Sequence, residues 1–226
     1  MSGQSILLLG ATGVSGLAFI KEALALPSPP KLTLYVRSPS KLPPDIETRA
    51  RVVTGALGDE ETLTTAMDGV DTVVSVLGAY PSLSAFIWRT TKTPLTEDLK
   101  IVLKVMKSKG IRRILALSTP AYYAHPETRP LFMHAWVLLP RFFLPQAYAE
   151  MVAIAKAVAA EDELDWTIFR VPHLNEGSAD LPVWAGLLGP DYKGSLELSR
   201  ASQARWLLQE IEQRAWIKGA PLLGNY

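Results

Sequence analysis

The chain has no cysteine among its 226 residues, which excludes disulfides, thiolate nucleophiles and cysteine-bound zinc. Histidine is nearly as scarce. His125, His134 and His173 lack the spacing of a zinc site, so no metal centre is expected. Net charge is close to nothing, with 23 basic against 22 acidic residues, and a formal +1 exerts no general pull on nucleic acid or anionic lipid. Long apolar runs are also missing. The stretch 131–144 is interrupted by His134, Pro140 and Arg141 and falls short of the roughly 20 residues that a spanning helix needs, so no integral membrane segment is expected. Ile6, Leu7, Leu8 and Leu9 have no basic region before them and read as a buried strand, not a signal peptide, which makes a cytoplasmic location the expectation.

What remains is an ordinary globular composition, 48% hydrophobic and 20% charged, in a length that suits one core spanning residues 1–226. Short apolar runs alternate with longer amphipathic ones, the pattern of βαβ units around a parallel sheet covered on both faces. Strands are expected at 5–9, 32–36, 51–53, 72–76, 113–117 and 166–170. Between them, Val14, Leu17, Ile20 and Leu24 fall at helical spacing ahead of Pro27. Asp59, Glu60 and Glu61 open a short helix that Gly69 stops, and Thr93 with Pro94 reads as a cap and first turn of a helix ending at Gly110. Further helices are expected over 147–160 and 199–211. The fold class is therefore α/β, a Rossmann-type doubly wound parallel sheet. Residues 80–93 and 120–146 lengthen the connections after the fourth and fifth strands, and in such sheets those connections wall the ligand crevice.

Directly after the first strand, Gly10-Ala11-Thr12-Gly13-Val14-Ser15-Gly16 opens the first helix. Small residues there admit a pyrophosphate to the backbone, where free N–H groups and the positive helix end stabilise its charge. The spacing is GxxGxxG, not GxGxxG, but the strand before and the amphipathic helix after it are those of a dinucleotide site. Gly10, Thr12, Gly13, Val14 and Gly16 are the expected phosphate contacts. A site selective for NAD commonly ends its second strand with an acid that bonds the ribose 2′-hydroxyl. Here Val36 is followed by Arg37-Ser38-Pro39-Ser40-Lys41, with no acid. Arg37 suits a 2′-phosphate, with Ser38 and Lys41 as further donors, so the expected cofactor is NADP(H).

These pieces, with Gly69-Val70-Asp71-Thr72-Val73-Val74-Ser75 and Leu164-Asp165-Trp166-Thr167-Ile168-Phe169-Arg170-Val171-Pro172, resemble the atypical short-chain dehydrogenase/reductases, specifically the NmrA-like and biliverdin-reductase-B-like proteins that bind NAD(P). The resemblance implies adenine contacts at the turn before Leu57, where Gly55-Ala56-Leu57 replaces the usual Gly-Asp-Leu. It implies ribose and phosphate contacts along Ser75, Leu77 and Gly78. Ser118 and Thr119 would approach the nicotinamide, and Pro172 and His173 would border its amide. The better-known short-chain enzymes use a serine, a tyrosine and a lysine four residues later. Tyr148 aligns with that tyrosine, but Val152 stands where the lysine would be, and Lys156 lies about 12 Å along the helix. Tyr148, Ser118, Thr119 and His173 are the candidate catalytic residues, with Tyr122, Tyr123 and His125 as other proton-bearing groups nearby.

The two insertions are rich in bulky apolar residues, among them Phe86, Trp88, Phe132, Trp136, Phe142 and Phe143. That lining suits a hydrophobic or aromatic small molecule, and equally a homodimer interface or a membrane-facing patch. The leading expectation is an NADPH-dependent reductase of a carbonyl or conjugated double bond. An NADP(H)-sensing regulator of NmrA type and a redox-neutral isomerase are the alternatives.

Overall fold

The computed structural model describes residues 3–79, 90–128 and 140–226; residues 80–89 and 129–139, parts of the two apolar insertions, lie outside the described residues. The six expected strands form β1 (Ser5–Leu9), β2 (Lys31–Val36), β3 (Arg51–Thr54), β4 (Thr72–Ser75), β5 (Arg113–Ser118) and β6 (Asp165–Arg170). They are parallel neighbours in the order β3-β2-β1-β4-β5-β6. Sequence order reverses between β1 and β4, and this switch point opens a crevice at the carboxyl ends of the strands. Ile6, Leu7, Leu8 and Leu9 have no exposed surface, as a strand buried on both faces requires.

Among the described residues, the helices α1 (Val14–Ala25), α2 (Glu60–Ala66), α3 (Pro94–Ser108), α4 (Pro145–Ala159) and α5 (Arg200–Gln213) cover the sheet. Right-handed crossovers running outward from the switch point in opposite directions place α1 and α3 on opposite faces. Accordingly α1 lies against α5, while α3 lies against α2 and α4. No helix among the described residues is long and apolar enough to cross a membrane.

Four further strands are additions to the expected set: β7 (His173–Asn175), β8 (Val183–Gly186), β9 (Glu197–Ser199) and β10 (Leu222–Asn225). β10 extends the sheet parallel to β6, β8 closes it antiparallel to β10, and β7 pairs with β9 apart from it. These segments are three or four residues long, and their pairing comes from tertiary neighbours more than from local pattern.

The helix starts are stabilised in different ways. Asp59 caps α2 by accepting from the Thr62 amide at 3.0 Å, and Ser199 caps α5 by accepting from Ser202 at 3.3 Å. Thr93 precedes α3 as expected but makes no capping bond. The carboxylate of Glu150, reaching across from α4, takes that place: it accepts from the Leu95 amide at 3.3 Å, the Thr96 amide at 2.7 Å and the Thr96 hydroxyl at 2.5 Å. A buried carboxylate accepting amides at a positive helix end is well satisfied, and it binds α3 to α4.

A second buried carboxylate sits at the amino ends of the strands. Glu210 of α5 accepts from the Arg113 guanidinium of β5 at 2.9 Å and from the Trp216 amide at 2.9 Å. Arg113 also donates to the Asp165 carbonyl at 2.8 Å and the Thr167 hydroxyl at 2.7 Å on β6. Burial pulls the Arg113 guanidinium down to about 10, against the opposing effect of Glu210, so it stays charged at neutral pH. Removing one member strands the other charge in the core. Arg113→Met is therefore expected to cost about 3–5 kcal/mol in urea unfolding, and Arg113→Met combined with Glu210→Met to recover most of that loss.

Candidate functional site

β1 ends at Leu9, and the chain turns through Gly10 at φ +85°, a conformation that side chains with a Cβ rarely adopt. A Cβ on Gly10 would lie 3.1 Å from the Val76 backbone, which follows β4 and donates its amide to the Leu9 carbonyl at 3.0 Å. Gly16 is more constrained. Its Cβ would stand 2.2 Å from the Gly10 oxygen and 2.7 Å from the Ala11 Cα, so the first turn of α1 rests on the end of β1 by backbone contact. Gly13 differs from both, with φ −80° and ψ 163°, an extended conformation open to other residues. Its amide donates to the Gly10 carbonyl at 3.0 Å, and its carbonyl accepts the first helical bond, from Leu17, at 2.9 Å.

As the N-cap of α1, Gly13 supplies no side-chain acceptor, and the first turn holds no acidic residue. The amides of Val14, Ser15 and Gly16 precede that first helical bond and face the switch point with neither backbone nor side-chain acceptor. Val14 is half exposed beside them, and Thr12 is half-buried.

β2 lies beside β1 with Tyr35 in register with Leu9, which brings Arg37 to the same edge. Arg37 and Lys41 are exposed, and among the described residues neither makes a hydrogen bond or ion pair. Ser38 shares a hydroxyl contact of 3.1 Å with Ser40 at the start of a 3-10 turn, Pro39–Lys41. The β3–α2 turn is fixed by Tyr35, whose hydroxyl donates to the Ala56 carbonyl at 2.7 Å. Burial, reinforced by the Asp59 carboxylate, pushes this phenol up to about 12, so it remains a donor. Leu57 is half-buried and packs on the core beneath the turn.

On the other side of the switch point, Ser75 is buried at the end of β4, followed by half-buried Leu77 and Gly78. A Cβ on Gly78 would meet none of the described residues within 4 Å. Ser118 ends β5 fully buried, and its hydroxyl donates to the Met151 carbonyl of α4 at 2.9 Å. That bond ties the strand to the helix one turn beyond Tyr148. Thr119 is half-buried, its hydroxyl accepting from the Ala121 amide at 3.3 Å. Val171 bonds the Ser118 carbonyl at 3.0 Å and precedes the buried Pro172, whereas His173 is exposed on β7. Tyr148 is half-buried on α4 with Val152 one turn on, and Lys156 is exposed. Burial pushes the Tyr122 phenol up, opposed by the nearby Arg170.

The phosphate-loop glycines, Arg37 to Lys41, Ser75 to Gly78, Ser118 with Thr119, and Pro172 thus share the carboxyl edge of the sheet. Val152 stands one turn beyond Tyr148, where a lysine would be, and His125 and His173 are exposed. No group of metal-ligating side chains occurs among the described residues. A cleft of about 440 Å³ between Leu26, Pro27 and Arg205 lies at the far end of α1 from the glycines, remote from this edge. Two interactions escaped the sequence pattern: the Glu150 clamp, and a fully buried ion pair of 2.7 Å between Arg170 and Glu127. Arg170 carries the one available signal, an arginine closing a strand directly after the buried Ile168 and Phe169, which burial obliges to find a partner.

Residues 10–214 match the NAD(P)H-binding family. Among solved structures, a short-chain dehydrogenase/reductase from Veillonella parvula in complex with NADP is 20% identical, with 98% of this chain and 94% of that chain covered at a TM-score of 0.76. ChuY from Escherichia coli O157:H7, an anaerobillin reductase, is 16% identical over 98% of this chain and 97% of that one at a TM-score of 0.74. The oxidoreductase ylbE from Lactococcus lactis is 15% identical over 99% and 91% at a TM-score of 0.72. At such identities these likenesses establish the fold alone. The family match covers most of the chain and begins at the first glycine of the loop whose amides stand open: the protein belongs to the NAD(P)H-binding family.

Proposed function

We propose that the protein is an NADPH-dependent reductase acting on a carbonyl or conjugated double bond of a hydrophobic or aromatic small molecule. The observation that carries the reading is the pairing of an uncapped α1 with two unpartnered cations, Arg37 and Lys41, at an edge that lacks the acid of an NAD-selective site. Gly10, Thr12, Gly13, Val14 and Gly16 would hold the diphosphate, and Arg37, Ser38 and Lys41 the 2′-phosphate. The turn at Leu57 would border the adenine, Ser75, Leu77 and Gly78 the ribose, and Ser118, Thr119, Pro172 and His173 the nicotinamide end. NADPH bound there supplies the hydride.

The chain's own work is orientation, exclusion of water and delivery of a proton. Tyr148 is the proposed proton donor. In the better-known short-chain enzymes a lysine four residues on stabilises the phenolate left when such a tyrosine gives its proton, and Val152 stands at that position here. The Ser118 hydroxyl already donates to Met151, which makes Ser118 the tie that holds α4, and with it Tyr148, to the sheet. The apolar insertions are proposed to cover the substrate. Reduction has precedent on this scaffold in ChuY, although fold by itself does not fix a reaction.

The missing lysine favours one second reading, a regulator that senses NADP(H) without turning it over. Loss of NADPH absorbance with a panel of quinones, flavins and enones supports the reductase. Binding without any turnover supports the sensor, and product without net NADPH consumption supports an isomerase.

Gly13→Asp gives a clean test of the phosphate loop, because its extended conformation accepts aspartate and aspartate is a good N-cap. The variant should keep its melting temperature and lose at least about 100-fold in NADPH affinity, since its carboxylate takes the open amides and repels the diphosphate. Arg37→Ala should weaken NADPH by about 10-fold or more in calorimetry while leaving NADH unchanged. Tyr148→Phe should lower kcat by about 100-fold with NADPH affinity preserved; full turnover would remove Tyr148 from the proposal.

A further inference from the structure

Arg170 closes β6 with no exposed surface, in register with Ser118 at the end of β5. Its Nε donates to the Ala220 carbonyl at 2.8 Å, just ahead of β10, and its Nη1 donates to the Tyr122 carbonyl at 3.1 Å. The same nitrogen lies 2.7 Å from the carboxylate of Glu127, whose side chain is equally buried. Tyr122 and Glu127 belong to residues 119–128, a segment without regular secondary structure that leaves the carboxyl end of β5. One guanidinium therefore grips this segment at two points and fastens it to the last strands of the sheet.

The segment also carries bonds within itself. The Tyr122 amide donates to the Thr119 carbonyl at 3.1 Å, the Glu127 amide to the Ala124 carbonyl at 2.9 Å, and the Tyr123 hydroxyl to the Glu127 carbonyl. Thr128 adds an outside tie, donating to the Leu188 carbonyl at 2.9 Å. Burying two charges is a costly way to stabilise a fold, because apolar residues of like volume often do as well. What the ion pair adds is direction, since the forked donors fix where the segment runs. Its position at the carboxyl edge matters too. Arg37 follows β2 on one side of the switch point, and residues 119–128 follow β5 on the other, so a dinucleotide lying across the crevice has its adenosine at the first and its nicotinamide at the second.

We infer that Glu127 is a positioning residue: through Arg170 it holds residues 119–128 as a fixed wall against the nicotinamide half of the cofactor. The inference rests on the NADP(H) reading above, and its test separates the two. The probes are NADP⁺ and adenosine 2′,5′-bisphosphate, which carries the adenosine end without the nicotinamide. In calorimetry, full-length Glu127→Gln should bind adenosine 2′,5′-bisphosphate as the wild type does and NADP⁺ about 10-fold more weakly, because the wall is no longer preorganised. In hydrogen exchange without nucleotide, amides of residues 119–128 should open at least about tenfold faster while β1 and α1 stay protected. Arg170→Met with Glu127→Leu should keep the melting temperature but show the same selective loss of NADP⁺ affinity.

Equal weakening of both probes, with exchange rising through the whole sheet, would mean a merely structural pair and overturn the inference. So would unchanged NADP⁺ affinity, or exchange in 119–128 that stays slow. Wild-type protein that binds neither probe would sink the cofactor reading and the wall's role with it, whereas slow exchange in Glu127→Gln would sink the ion pair's part alone.

Discussion

The close approach of α1 to the end of β1 governs the geometry of everything at the carboxyl edge. Gly16 meets Gly10 and Ala11 through backbone alone, and Gly10 in turn sits against the chain leaving β4. Any Cβ at Gly16 would lift the helix away from the strand. Because the helix starts this close, its first amides open directly onto the switch point, at the one place where β1 and β4 diverge to admit a ligand. The positive end of α1 has no carboxylate of its own to neutralise it. The contrast with α3 is instructive: its first turn also presents amides, but Glu150 fills them from α4. Two helices on opposite faces of the sheet thus differ at their starts, one closed by a carboxylate from within the protein and the other without such an acceptor among the described residues.

Much of this was legible in the residues. The strands β1, β2, β4 and β5 emerge because each is a short, largely apolar run buried along nearly its whole length, a pattern that owes little to distant neighbours. Gly10 and Gly16 announced the phosphate loop because backbone contact and a left-handed turn both demand glycine. The absence of an acid after Val36 was equally plain. What stayed hidden were partnerships between residues far apart in the chain. Thr93 looked like a cap because threonine before proline usually is one, yet a carboxylate more than fifty residues later does that work. The strands β7 to β10 were invisible because three or four residues, some of them glycine, carry no periodicity of their own.

The candidate catalytic residues divide along the same line. Ser118 could be placed after β5 from the sequence, but that its hydroxyl faces α4 and bonds Met151 is a fact of packing. His173 sat in a suggestive position after Pro172, and only the pairing of β7 with β9 shows it exposed on a small separate sheet. Val152 in place of lysine was visible at once, and Lys156 of the same helix is exposed.

The buried charges then acquire a common logic. Arg113 lies at the start of β5, in register with Asp165, and pairs with Glu210; Arg170 lies at the end of β6, in register with Ser118, and pairs with Glu127. The same two strands are thus pinned at both edges, to α5 at one and to the segment after β5 at the other. Between these pins, Glu150 joins α3 to α4, and Ser118 joins β5 to α4 one turn from Tyr148. The helix that bears Tyr148 is thus fastened to α3 and to the end of β5 by buried polar contacts, and its place at the carboxyl edge is set by packing within the fold.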